Sequence, residues 1–129
     1  MRPFLIAIFF SLLAPAAVAA PEATSHDQCF RSANWDGWSA PGDGDAILIQ
    51  VGVHDVYSLQ LSAGTHVRKY QDRILVNQVR GSNWVCTPLD MDLTLTDRHG
   101  GFSQHLNVRS IHKLTPDEIA AIPRRDWPG

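Results

Sequence analysis

The sequence predicts a mainly β protein: a small antiparallel sheet or barrel of about six short strands with one short C-terminal helix. Eight Pro and nine Gly in 129 residues favour turns and short strands over long helices. Two segments alternate apolar and polar residues with the period of a half-buried strand, Val56–Leu61 and Met91–Thr96. No connection is long enough for a parallel crossover, so neighbouring strands should be antiparallel. With no long helix to cover it, the sheet should curl or fold over on itself.

Strands are expected at residues 46–51, 56–61, 73–76, 84–86, 91–96 and 102–112. In the last of these, Ile111 breaks the alternation of Leu106 and Val108, which a bulge near Arg109-Ser110 would explain. Residues 34–45 are rich in Asn, Asp, Gly and Pro and are interpreted as turns, and residues 65–72 as a loop.

The first two predicted strands form a hairpin through residues 52–55. Its alternation places one set of apolar residues on a shared face, which we expect to be the core: Ile47, Ile49, Val51, Tyr57, Leu59 and Leu61. At the other end of the chain, Thr115 can cap a helix, Pro116 suits its first position, and Glu118 completes a capping box. Pro123 should end this short helix.

The N-terminus has the pattern of a secretory signal peptide. Arg2 supplies the positive charge and Phe4–Leu13 is an apolar run broken only by Ser11. Ala17-Val18-Ala19 fits the small-x-small rule for cleavage before Ala20. The apolar run is shorter than the roughly 20 residues that cross a bilayer, which disfavours a membrane anchor.

These features predict a periplasmic or secreted protein with no membrane span after cleavage. The first cysteine, Cys29, is far from the predicted cut, so lipid attachment is not expected. The chain then divides into a signal peptide at 1–19, a mobile segment at 20–28, a single β-domain at 29–123 and a tail at 124–129.

Two cysteines are present, Cys29 and Cys86, and an exported chain should join them in a disulfide. A cross-link over so long a loop restrains the unfolded chain by roughly 4 kcal/mol in the chain-entropy account. The competing interpretation, a redox thiol pair, is weak because the C-x-x-C motif is absent.

The order of these features resembles a family of small exported bacterial proteins that carry a domain of unknown function. The resemblance covers about residues 29–119 and rests on Cys29-Phe30-Arg31, Ile47–Val51, Tyr57–Leu61, Cys86, Val108–Thr115 and Glu118. Many members of that family have four cysteines, whereas this sequence has His66 near one of the additional positions and Leu106 near the other. The resemblance therefore implies the fold but no second disulfide, and the family implies no catalytic residues.

The most suggestive unit for ligand binding is Trp35-Asp36-Gly37-Trp38. Two indoles beside a tight turn could stack on a sugar face or clamp an apolar ligand. The competing and favoured interpretation is that they pack in the core, because a buried Trp would greatly stabilise so small a domain.

Enzymatic signatures are weak, and no catalytic residue, metal site or cofactor is predicted. The histidines lack close zinc-ligand spacing and are interpreted as solvated: His26, His54, His66, His99, His105 and His112. No G-x-S-x-G motif surrounds Ser62, Ser82 or Ser103. Candidate carboxylate pairs for glycosidic cleavage are better explained as turn or outer-face residues: Asp43, Asp45, Asp90 and Asp92.

The function expected from the sequence is a non-enzymatic binding or structural module of the cell envelope, with an envelope ligand or protein as its partner. The net charge of −2 argues against nucleic acid as that partner. The alternative is a small periplasmic hydrolase or metal-dependent enzyme that uses histidines. A cluster of His and Asp in one cleft would favour the enzyme, and scattered exposed histidines would favour the module.

The export prediction has a direct test. Protein recovered from the periplasm should have an intact mass that begins at Ala20, because signal peptidase cuts after small residues in this pattern. Retention of Met1, or a lipid on Cys29, would contradict the prediction.

Overall fold

The computed structural model describes residues 28–69 and 72–129; the predicted signal peptide and almost all of the predicted mobile segment lie outside these ranges. The described residues form nine strands in three antiparallel sheets and one short helix, with no closed barrel. The mainly β prediction with a short C-terminal helix is therefore confirmed, with more strands than expected.

The elements are β1 (Phe30–Arg31), β2 (Trp35–Ser39), β3 (Ala46–Val51), β4 (Asp55–Leu61), β5 (Arg73–Asn77), β6 (Trp84–Val85), β7 (Leu93–Asp97), β8 (Ser103–Leu106), β9 (Val108–Lys113) and α1 (Pro116–Ala120). The sheets have the orders β1-β6, β2-β3-β4-β9 and β5-β7-β8.

The β3–β4 hairpin lies at the centre of the four-stranded sheet. Ile47 lies opposite Leu59 and Ile49 opposite Tyr57, and these four side chains are at most 1% exposed. Alternation along both strands therefore sends the expected apolar set to the core side. The predicted core face of this hairpin is confirmed.

Residues 35–39 form strand β2, so their assignment to a turn was wrong. Trp35 pairs with Val51 and Gly37 with Gln50, which leaves Asp36 as an extra residue in a bulge. The polar and glycine composition that suggested a turn is accommodated by this bulge, and the edge of β3 supplies the pairing partner. Turn structure is found further on, at residues 42–43.

The stretch expected as one last strand is two strands separated at Asn107. β8 pairs with β7 and β9 pairs with β4, so the chain passes here from one sheet into the other. The predicted bulge is also present: Gln60 faces Ser110 while Leu61 faces Val108, which leaves Arg109 as the extra residue.

A single core joins the three sheets. It consists of Phe30, Trp38, Ile47, Ile49, Val51, Tyr57, Leu59, Leu61, Val67, Val85, Leu93, Leu95 and Leu106. β8 and β9 are consecutive in the chain and separated only by Asn107, so they connect the sheet β2-β3-β4-β9 to the sheet β8-β7-β5, and both sheets contribute to this core. β2 and β5 are the strands at the two ends of this sequence of strands, and each is an edge strand of its own sheet.

The C-terminal residues pack on the outer side of β2. The Ser39 hydroxyl donates to the Asp126 carbonyl at 2.6 Å, and Pro128 is buried. A Cβ on Gly37 would lie 2.8 Å from the Pro128 carbonyl oxygen, so a larger residue would push this segment away. Residues 126–129 thus cover part of the sheet.

Two local predictions are confirmed. Cys29 and Cys86 form a disulfide beside the β1–β6 pair. The α1 capping box is complete: the Thr115 hydroxyl accepts from the Glu118 N–H at 3.3 Å, and the Glu118 carboxylate accepts from the Thr115 N–H at 3.1 Å. None of the helices described here is long and apolar enough to cross a membrane.

The core assignment can be tested on one strand. Leu59→Ala should lower the free energy of unfolding by about 2–5 kcal/mol, because it removes a fully buried side chain. Ser58→Ala, on the opposite face, should change it by no more than about 0.5 kcal/mol. Denaturant melts of the oxidised protein measure both, and equal losses would contradict the strand register.

Candidate functional site

A groove of about 670 Å³ lies between β2 and β5, which are edge strands of two different sheets. One wall carries Trp35, Asp36 and Trp38 of β2, and the other carries residues 73–77 of β5. Ser32, Ala33 and Asn83 also line it, and they flank the disulfide-linked β1–β6 pair. The groove therefore brings together parts of the chain that are distant in sequence.

Trp35 and Trp38, the two candidate stacking residues, both line this groove, and they differ in how much of each indole is exposed. The bulge at Asp36 lets Trp35 and Trp38 share the core side although they are three residues apart, since they pair with Val51 and Ile49. Trp38 is 9% exposed and belongs to the core, while Trp35 is half-buried against it. The Trp35 Nε1–H donates to the Gly37 carbonyl at 3.0 Å, which fixes the indole. Trp38 thus forms the floor, and Trp35 offers more surface.

The β5 wall combines apolar and polar side chains. Leu75 packs against the core, and the Asn77 side-chain oxygen accepts from the Asp92 N–H at 2.9 Å. The Asn77 amide nitrogen is buried and has no hydrogen-bond partner among the described residues. The Arg73 guanidinium lies 3.6 Å from the centre of the Phe102 ring, a cation–π arrangement.

Lys69 closes one end of the β2 edge. Its ammonium donates to the Trp38 carbonyl at 2.6 Å and to the Gly129 carbonyl at 3.0 Å, and lies 5.4 Å from the Trp38 ring centre. The loop that carries Lys69 is held at Gly44, whose carbonyl accepts from the Val67 N–H at 2.8 Å. Gly44 has a φ of +76°, and a Cβ there would lie 1.9 Å from the Val67 carbonyl, so only glycine fits.

Two other clefts are lined by polar groups, several of which already have partners. In a cleft of about 370 Å³, Asp92 pairs with Arg80 at 2.5 Å and with His105 at 3.4 Å. A cleft of about 730 Å³ contains Lys69 and Arg125, and Arg125 lies 3.8 Å from Asp126. Neither cleft has an aromatic wall, so the groove between β2 and β5 is the better candidate for ligand binding.

The histidines of the described residues do not cluster at one site. His54, His66, His99, His105 and His112 are all exposed, and His26 lies outside the described residues. The part of the chain that the structure describes contains no group of three or more His, Cys, Asp or Glu suited to a metal. Of the serines considered, Ser62 donates to the Asn107 carbonyl and Ser82 accepts from the Trp84 N–H, so both serve loops.

Two carboxylates have lowered pKa values for structural reasons. The N–H groups of Cys86 and Thr87 donate to Asp90, each at 2.9 Å, and lower its pKa. The N–H of Thr115 lowers the pKa of Glu118, with a smaller effect from His112. Perturbed pKa values often mark catalytic groups. Both of these carboxylates cap short helical turns, so their pKa shifts do not indicate acid–base chemistry.

Comparison of the chain with protein-family models, with curated protein sequences and with solved structures found no match.

The capping role of Asp90 predicts a pH-dependent stability. Its folded-state pKa lies below its unfolded value, so the carboxylate stabilises the fold above the unfolded pKa of about 3.9 and this contribution is lost as pH falls through the folded pKa. Asp90→Ala should lower the free energy of unfolding near neutral pH by about 0.5 kcal/mol, the low end for caps, because the group is exposed.

The measurement is a series of denaturant melts from neutral to strongly acidic pH, in which the difference from wild type should disappear at the acidic end. Asp43→Ala is the matched control, because the structure gives that exposed carboxylate no side-chain hydrogen bond within the described residues. A deficit of Asp90→Ala that is the same at every pH would contradict the assignment.

Proposed function

We propose that this protein is a small exported β-domain that acts as a non-enzymatic binding module of the cell envelope, with its ligand in the groove between β2 and β5. The observation that carries the proposal is that Trp35 and Trp38 line one groove of about 670 Å³. That volume lies within the range typical of small-ligand sites, and aromatic walls are characteristic of them.

Three further features support export to the periplasm or secretion. The N-terminal pattern is that of a signal peptide, and a disulfide is characteristic of an oxidising compartment. The resemblance to small exported bacterial proteins with a domain of unknown function agrees with this proposal and adds no activity to it.

The alternative, a periplasmic hydrolase or metal-dependent enzyme, requires several reactive side chains at one point. Among the described residues, histidine and carboxylate form two ion pairs, His112 with Glu118 at the surface and His105 with Asp92, whose side chain is 18% exposed. His105, Asp90 and Asp92 line one cleft, but Asp92 is also paired with Arg80 and Asp90 accepts from the Cys86 N–H, so both carboxylates have structural partners. The binding module is therefore the better supported of the two functions.

The proposal can be tested by thermal shift on the exported, oxidised protein with soluble oligosaccharides, peptide pools and zinc chloride as probes. We expect an oligosaccharide or a peptide, and not zinc, to raise the melting temperature and to change tryptophan fluorescence. Trp35→Ala should weaken that binding at least tenfold, because the more accessible groove indole is lost.

Trp84→Ala is the matched control, since Trp84 is an exposed indole that lies under Arg31, outside the groove lining. It should leave the affinity unchanged. Stabilisation by zinc alone, removed by a chelator and insensitive to Trp35→Ala, would instead favour the metal-dependent enzyme.

A further inference from the structure

We propose that the ligand of the groove is an extended peptide segment, which binds by adding as a strand to the free edge of β5. This inference rests on the proposed function, because it names the ligand class of the same groove. It also assigns the main contact to backbone atoms, a mode in which backbone hydrogen bonds give affinity and side-chain pockets give selectivity.

The backbone hydrogen bonds at both ends of β5 show which of its residues direct their N–H and C=O groups toward β7. The Gln78 N–H donates to the Asp92 carbonyl, and the Arg98 N–H donates to the Asp72 carbonyl. In an antiparallel ladder, residues whose backbone groups face the partner strand alternate with residues whose groups face away. The backbone groups of Gln78 and Asp72, one at each end of β5, therefore face the partner strand.

The alternation therefore assigns a direction to each residue of β5. Ile74 and Val76 direct their N–H and C=O groups toward β7, opposite Thr96 and Thr94. Leu75 and Asn77 direct theirs away from β7, on the free side of a strand whose residues 73–77 all line the groove. No backbone hydrogen bond among the described residues reaches Leu75 or Asn77 from the groove side.

The opposite wall does not offer an equivalent edge. Successive carbonyls of a strand point to opposite sides, so only one of the Gly37 and Trp38 carbonyls can face away from β3. Each of them already accepts from a side chain, Gly37 from the Trp35 indole and Trp38 from Lys69. β5 is thus the edge available for pairing, and the tryptophans of β2 stand across the groove from it. A bound strand would receive backbone contacts from one wall and aromatic contacts from the other.

β5 has little of the usual protection of an edge strand, because its one charged residue is Arg73 at the start of the strand. Exposed edges commonly carry Lys or Pro, which discourage pairing. The β5 sequence Arg73–Asn77 contains neither, and its outward side chains Ile74 and Val76 are each 39% exposed, followed by Val79 at 49%. These aliphatic side chains can pack beside alternate residues of an added strand.

Charge narrows the chemistry of the peptide. Two arginines, Arg73 and Arg98, and one carboxylate, Asp36, line the groove. The expected occupant is a strand of alternating apolar residues with an acidic residue near the arginine end. A second copy of this chain fits less well. Its β5 would have to enter the groove together with the sheet to which it is attached, and β2 of the first copy already forms the opposite wall.

The first experiment is selection of a ten-residue peptide library displayed on phage against the exported, oxidised protein. Enriched sequences should alternate apolar residues and include Asp or Glu near one end. Amide hydrogen exchange by NMR then reports the edge itself. In the free protein, Leu75 and Asn77 should exchange faster than Ile74 and Val76, and the enriched peptide should slow the exchange of Leu75 and Asn77 only.

The backbone contribution is isolated by matched variants. Leu75→Pro removes the N–H that faces the groove, while Leu75→Ala loses the same apolar side chain and keeps the N–H. Leu75→Pro should bind the enriched peptide at least tenfold more weakly than Leu75→Ala. Independently of whether Leu75→Pro folds, methylation of alternate backbone nitrogens in the enriched peptide should weaken its binding to the wild-type protein at least tenfold.

Each remaining outcome overturns the inference. If no peptide is enriched but an oligosaccharide binds in a Trp35-dependent way, the ligand class is wrong while the proposed function stands. If neither class of ligand binds, both are wrong. If Leu75 and Asn77 are already protected without peptide and light scattering gives a dimer, a second copy occupies the edge. Equal binding of the methylated and unmethylated peptides would exclude strand addition.

Discussion

The apolar face shared by β3 and β4 has to leave water, and none of the helices in the described residues is long enough to cover it. The sheet therefore covers itself. β9 continues back through Asn107 into β8, which brings Leu93, Leu95 and Leu106 over the β3–β4 face. Curling of this kind is the usual solution for a small antiparallel sheet without helices.

The same curling produces the groove. A closed barrel would pair its first and last strands and leave no edge. Here the curl stops with β2 and β5 facing each other across an open space of about 670 Å³. The Trp38 side chain lines that space and also belongs to the core, so one residue serves both stability and the shape of the groove. The candidate site follows from how the core is closed.

The disulfide acts on core and groove together. It connects Cys29 and Cys86 over a sequence separation of 57, beside the β1–β6 pair that bounds one end of the groove. The Tyr57 hydroxyl, within the core, points toward the Cys29 carbonyl at 3.5 Å, and burial, with a smaller effect from Asp55, raises the pKa of Tyr57. At the other cysteine, the Cys86 N–H donates to the Asp90 carboxylate. Each cysteine of the disulfide therefore makes a backbone hydrogen bond to a side chain.

Local chemistry in the sequence determined several parts of this protein. Alternation in 46–51 and 56–61 was enough to predict β3, β4 and their core face, because side chains of a strand point alternately to its two faces. It did not predict that Leu48 and Val56, on the opposite face, are buried too. Thr115 and Glu118 were enough for the helix start, and the change of phase at Ile111 was enough for the bulge at Arg109. The pairing of Cys29 with Cys86 needed only their number and the predicted export.

Tertiary structure decided the rest. Residues 35–39 have the composition of a turn and become a strand because the edge of β3 is there to pair with them. The break at Asn107 exists because β4 and β7 lie in different sheets. One groove is lined by Trp35, Trp38, Leu75 and Asn77 because the sheets curl far enough to bring β2 opposite β5. No local propensity encodes that distance, since it is set by the packing of a core drawn from all three sheets.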